Sequence, residues 1–233
     1  MFEQQNAYSS LPTATVASGF FSKVYGWMTA GLALTALVSM FTLSSEAMLQ
    51  LIFGNKLVFY GLIFGELGLV IALSAAINRI SAATATLMFL GYSALNGVTF
   101  AAIFLVYTQS SIASTFFVAS GTFAAMSLYG YVTKRDLTGW GSFLFMGLIG
   151  IIIASVVNIF LQSEMIYWIT SYIGVFVFVG LTAYDTQKIK MIGHAGFAAA
   201  DQQKKAAILG ALRLYLDFIN LFLMLLRVMG TRR

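Results

Sequence analysis

Two aspartates, Asp185 and Asp217, stand inside long apolar stretches, VFVFVGLTAYDTQ and LRLYLDFINLFLMLL, in a chain with only eight acidic residues. A charged side chain at mid-bilayer costs about 2.5–3.5 kcal/mol on insertion scales, so such a position implies a role. Two carboxylates in close contact cannot both ionise cheaply and would share a proton, and their oxygens suit a hard cation such as calcium. Arg213, Asp217 and Asn220 follow at spacings of four and three, so they share one helix face. That face must meet protein or water, because lipid offers no partner. An Arg213–Asp217 ion pair within the helix would lower the cost of both charges but leave Asp185 unexplained, unless Asp185 reaches interfacial water. Glu66 has no opposite charge three or four residues away, so it is either neutral or meets a cation from another helix. Tyr92, Asn96 and Thr99 share a face that could be hydrogen-bonding glue or a polar pathway.

The elements that carry these residues follow from composition. The chain is 60% hydrophobic and 9% charged, against about 25% charged for a soluble domain. Seven apolar runs, near 22–42, 57–78, 84–107, 111–132, 142–161, 167–188 and 206–229, are each long enough to cross about 30 Å of hydrocarbon as helix. The pattern lacks the short alternating segments of a barrel. It predicts an all-α membrane protein: a polar tail over 1–21 that precedes a retained first helix, one seven-helix domain over 22–229, and a basic tail over 230–233. The longest predicted loop is 189–205. Pro12, the only proline, precedes the first span, so no broken transporter-type helix is signalled. Cysteine is absent, which removes disulfides and thiol chemistry, and the lone His194 is read as a solvated loop residue without a metal role. Gly61, Gly65 and Gly68 in the second span are expected to pack inside the bundle, the alternative being a dimer contact.

With seven spans, Lys23, Arg79, Lys134, Arg135, Lys188, Lys190, Lys204 and Lys205 share one side, and Lys56, Arg227, Arg232 and Arg233 the other. The asymmetry predicts a cytoplasmic N-terminus. The basic residues sit at helix ends and form no solvated stripe for nucleic acid. Asp185 lies roughly 5–8 Å from the exit of the sixth span and Asp217 roughly 16 Å into the seventh, at 1.5 Å per residue. The two can meet if the first turn of the seventh helix, with Lys204 and Lys205, stands outside the membrane and Arg213 snorkels toward that side.

Four stretches in order carry a resemblance: YSALNG from Tyr92, YGYVTKRDL from Tyr129, GLTAYDTQKI from Gly180 and LYLDFINLF from Leu214. The chain resembles the Bax inhibitor-1 family, and within it the bacterial inner-membrane branch, from about Val24 onward. The resemblance implies seven transmembrane helices, with two three-helix layers around a central C-terminal helix. It also implies an aspartate dyad, matched here by Asp185 and Asp217, acting as a proton-sensitive latch on a calcium-permeable pathway. A second-helix arginine would bond to the first aspartate, and Arg79 is the candidate. The expected function is a pH-sensitive calcium leak, with Arg213, Glu66 and Asn220 supporting the dyad, calcium as a transient guest of Asp185 and Asp217, and no cofactor. The alternative is an interaction protein that modulates a membrane-bound protease or a stress or cell-death factor. An intramembrane aspartyl protease is disfavoured, because Leu214-Tyr215-Leu216-Asp217 replaces its Gly-x-Gly-Asp and its Pro-Ala-Leu element is missing. A retinal photoreceptor needs a mid-helix lysine, and Lys204 and Lys205 precede the seventh span.

Overall fold

A computed structural model describes residues 13–233, with side chains from Gly19 onward. Pro12 and residues 1–12 of the expected polar tail lie outside the described residues. Eight helices follow in order: α1 (Thr13–Leu43), α2 (Glu46–Phe53), α3 (Lys56–Ala76), α4 (Ala82–Val106), α5 (Gln109–Val132), α6 (Thr138–Leu161), α7 (Glu164–Ala195) and α8 (Ala200–Met229). Seven are long and apolar enough to cross a membrane, all but α2. Residues 13–21, expected in the tail, belong to α1. The short α2 fills the segment between the first two expected spans. Ser45 caps it by accepting from Met48 N at 3.4 Å, and Gly54 ends it.

α8 is the most enclosed span, 72% buried over its most apolar window, and it packs against α1, α4, α5 and α7. α6 packs on α7, while α3 packs on α4 and α2. At the middle of the enclosed helix, Tyr215 is 0% exposed. Its hydroxyl lies 2.6 Å from Thr35 Oγ1, which also donates to Ser93 O at 2.9 Å. The rings of Phe89 and Tyr92 meet Tyr215 edge-on. Ordering a tyrosine in the core requires a partner for its hydroxyl, and Thr35 on α1 supplies it.

The expected loop over 189–205 is overturned. α7 continues to Ala195 and α8 begins at Ala200, so only 196–199 lie between them. Lysine, alanine and glutamine are good helix formers and prolong both helices beyond the apolar runs. Gly196, at φ 76°, turns the chain, a conformation open to glycine. His194 stands in the last turn of α7, where its Nδ1 donates to Lys190 O at 2.7 Å. Side chains then lock this end of the bundle. Lys205 Nζ donates to Ile80 O at 3.0 Å and Lys23 Nζ to Gln203 Oε1 at 3.0 Å.

The glycine stripe of the second span also departs from expectation. A Cβ added at Gly61, Gly65 or Gly68 would meet nothing within 4 Å, so these residues do not pack inside the bundle. The close approaches lie elsewhere. Gly130 on α5 abuts the backbone of Ala183 on α7, and Gly97 on α4 faces Thr35 O on α1, 2.6 Å from an added Cβ.

Candidate functional site: an aspartate pair in a transmembrane cleft

One antiparallel register carries the last two helices past each other, with Gly174 against Met224, Asp185 against Arg213 and Ile189 against Gly210. Asp185 is thereby level with Arg213, and Asp217 sits one turn deeper, about 6 Å along the axis. Arg213 Nη1 donates to Asp185 Oδ1 at 3.2 Å, an ion pair between α7 and α8. The helix extensions bring the two aspartates to within about one turn of the same depth, closer than the apolar runs alone implied.

Asp185 and Asp217 are 8% and 4% exposed. Both line a cleft of about 1180 Å³, with α3 and α6 as walls and α7 and α8 as floor. Its α6 lining runs from Gly141 to Ile159, which is about 27 Å at 1.5 Å per residue and nearly the thickness of a bilayer core. Down the floor, α8 presents Arg213, Asp217, Asn220, Met224 and Arg227 at alternating spacings of four and three. This repeat keeps one stripe on one helix face. Lys188 and Ser74 also line the cleft.

No donor among the described residues reaches Asp217 Oδ2, which is buried. The one guanidinium within a helical turn, Arg213, is engaged by Asp185. Asn220 lines the cleft, but its Nδ2 is used within α8, donating to Leu216 O at 2.8 Å.

Arg79, expected as the cation beside Asp185, is not brought to the site. α3 ends at Ala76, leaving Arg79 exposed in the turn that follows, and α3 packs on α4, away from α7. Arg213 holds that place. Among the described residues Glu66 meets no cation: it accepts from Thr99 Oγ1 at 2.9 Å, across the α3–α4 seam. On the same face Asn96 Nδ2 donates to Tyr92 OH at 2.9 Å, leaving Asn96 Oδ1 buried without a partner among the described residues. Of the third-span polar residues, Thr99 ties α4 to α3, while the Asn96–Tyr92 bond stays within α4.

Three partners escaped the sequence reading. Gln187 accepts from Leu137 N at 2.9 Å and donates to Arg135 O at 2.8 Å, tying α7 to the α5–α6 turn. Thr186 lies 3.4 Å from Tyr25 OH and donates to Ser127 Oγ at 3.4 Å, linking α7 to α1 and α5. Both follow Asp185 directly in the AYDTQK run, and that adjacency was the only available signal. In the same turn Asp136 accepts from Thr138 N at 2.8 Å and Thr138 Oγ1 at 2.6 Å. Those bonds hold its carboxyl below the usual carboxylate range.

Among the described residues, no group of three or more histidine, cysteine or acidic side chains gathers. Two carboxylates offer at most four oxygens, while calcium takes six to eight ligands. Water would have to supply the rest, which suits passage better than retention.

The profile of a family described as "Inhibitor of apoptosis-promoting Bax1" matches residues 17–233. The chain belongs to the Bax inhibitor family. Its relatives in that family include the inner membrane protein YbhL of Escherichia coli K12, 57% identical over 215 residues, which covers 92% of each chain. An uncharacterised protein of Borreliella burgdorferi is 47% identical, with 94% of each chain covered. A protein of Rickettsia prowazekii, also uncharacterised, is 46% identical over 92% of this chain and 90% of its own. This Bax inhibitor family member is a multi-helix membrane protein, and the match embraces all seven candidate spans.

Proposed function

We propose that this Bax inhibitor family protein is a pH-sensitive calcium-permeable leak channel of a bacterial inner membrane, gated by Asp185 and Asp217. The inner-membrane assignment leans on the relative in E. coli. The observation that carries the channel reading is the polar stripe of α8, which runs from Arg213 to Arg227 along the floor of the cleft. A stripe of that kind facing lipid would be costly, and facing a cleft it offers water and cations successive partners.

The gate works through competition for Arg213. With one proton shared by the two carboxyl groups, Arg213 balances the single remaining charge and α7 stays docked on α8. As pH rises the second proton leaves, two negative charges share one guanidinium, and their repulsion drives α7 and α8 apart. Calcium then enters as a permeant ion, without a cofactor and without any catalytic step.

The test is calcium flux through the purified protein in liposomes, with pH stepped from acid to alkaline. The wild type should conduct more as pH rises through the transition. Asp185→Asn and Asp217→Asn, each unable to build the double negative charge, should flatten the profile. Wild-type pH profiles in both single variants would remove the dyad as sensor. The family's description as an inhibitor favours a second reading, restraint of another membrane protein. Calcium-tight liposomes at every pH, together with a membrane protease or stress factor co-purifying from the native membrane, would favour it.

A further inference from the structure

At the opposite end of the cleft from Asp185, a second polar cavity of about 630 Å³ lies between the α6–α7 turn and the C-terminal residues. Two guanidiniums converge there on one ring. Arg227 Cζ lies 5.6 Å and Arg232 Cζ 5.5 Å from the centroid of Tyr167, and Arg232 Nη2 donates to Tyr167 OH at 2.9 Å. Each guanidinium carries five N–H donors, and most of these are left over. Among the described residues the ion pairs are Lys205–Asp201 and Arg213–Asp185, so neither guanidinium has a carboxylate partner. Glu164 lines the cavity but is exposed and pairs with neither.

The arrangement is held in place. Thr108 N donates to Thr231 O at 3.1 Å, Arg233 N to Val106 O at 2.9 Å and Thr231 N to Ser111 Oγ at 2.9 Å, fixing the tail across the α4–α5 turn. The N-terminus of α7, at Glu164, opens into the same cavity and adds the positive end of a 32-residue helix. Trp168 lines it too, and Arg227 is two residues from the end of α8 at Met229. Tryptophan and tyrosine beside helix-end arginines mark the headgroup level of a bilayer. Two guanidiniums gathered on one ring without a counter-charge favour an anion between or beside them, and a planar guanidinium matches a phosphate with paired hydrogen bonds.

We propose that Arg227, Arg232 and Tyr167 bind a phosphate group, and that its source is the headgroup of an anionic glycerophospholipid. This reading stands whether or not the dyad gates calcium. It makes a lipid phosphate a fixed part of one mouth of the cleft, because Arg227 lines both cavities.

The test is native mass spectrometry of the purified full chain in detergent, titrated with dioleoylphosphatidylglycerol, dioleoylphosphatidylcholine or inorganic phosphate. The wild type should retain phosphatidylglycerol at least tenfold more tightly than phosphatidylcholine. Arg227→Gln with Arg232→Gln should weaken that retention at least tenfold, and Lys56→Gln should leave it unchanged. The charge-keeping pair Arg227→Lys and Arg232→Lys should retain a preference for the anionic lipid, which separates lost charge from lost folding. Arginine-dependent binding of inorganic phosphate without lipid retention would keep the phosphate site and assign it a soluble source. Equal retention of phosphatidylglycerol by the wild type and the double glutamine variant, or no binding of either probe, would overturn the proposal.

Discussion

The Arg213–Asp185 bond is the residue-scale feature with the clearest energetic consequence. Removing one partner from a buried pair leaves an uncompensated charge, at a cost of about 3–5 kcal/mol when burial is complete. Here the Arg213 side chain is 38% exposed and that of Asp185 12%, so water in the cleft screens part of the charge. Arg213→Gln should therefore destabilise by roughly 1–3 kcal/mol. Arg213→Lys keeps the charge and should lose less. Unfolding of the micelle-embedded protein measures both. A neutral effect of Arg213→Gln would mean that Asp185 does not depend on this guanidinium. The asymmetry between the carboxylates belongs to the same scale: Asp185 holds the cation, while Asp217 Oδ2 finds no donor.

At the scale of elements, small residues decide which helices touch, and their positions differ from those the sequence pattern suggested. Gly130 is where α5 meets the backbone of α7, directly beside the segment that carries Tyr184 and Asp185. A methyl group there meets main chain, which cannot rotate away. Gly130→Ala should cost about 1–3 kcal/mol through overpacking. Under the proposed channel function it should also disturb calcium flux, because α7 would be displaced beside Asp185. Gly65→Ala meets nothing within 4 Å and should be neutral, or stabilising by up to about 1 kcal/mol through helix propensity. Thermal unfolding of the two variants side by side checks the contrast, and equal effects would contradict the packing described for α5 and α7.

At the scale of the whole molecule, seven candidate spans put the start of the first span and the end of α8 on opposite sides of the bilayer. The end with the α7–α8 turn carries the Lys205–Ile80 and Lys23–Gln203 clamps and most of the basic residues. The other end carries Arg227, Arg232 and the strapped tail. The charge asymmetry leads us to expect the clamped end in the cytoplasm. A C-terminal fluorescent reporter that folds only in the cytoplasm should stay dark, and an alkaline phosphatase fusion at the same point should be active. The reverse pattern would invert the molecule and exchange the faces on which the dyad and the arginine pair meet water.

The sequence by itself determined the membrane class, the seven spans and the two aspartates, because hydropathy and rare intramembrane charges are local properties that need no partner to be recognised. It also placed Arg213, Asp217 and Asn220 on one face, since helical periodicity fixes that without tertiary contacts. Only the tertiary structure decided which cation serves Asp185. Arg213 and Asp185 are 28 residues apart and meet through the antiparallel register of α7 and α8. That register depends on where the helices end, and polar helix formers beyond the apolar runs moved both ends. The same holds for Gln187, whose partners lie in a turn 50 and 52 residues away, and for Glu66, whose hydroxyl partner is 33 residues off. The cleft itself is a property of packing: α3 leans on α4 and α6 on α7, and the gap between these walls exposes the stripe of α8.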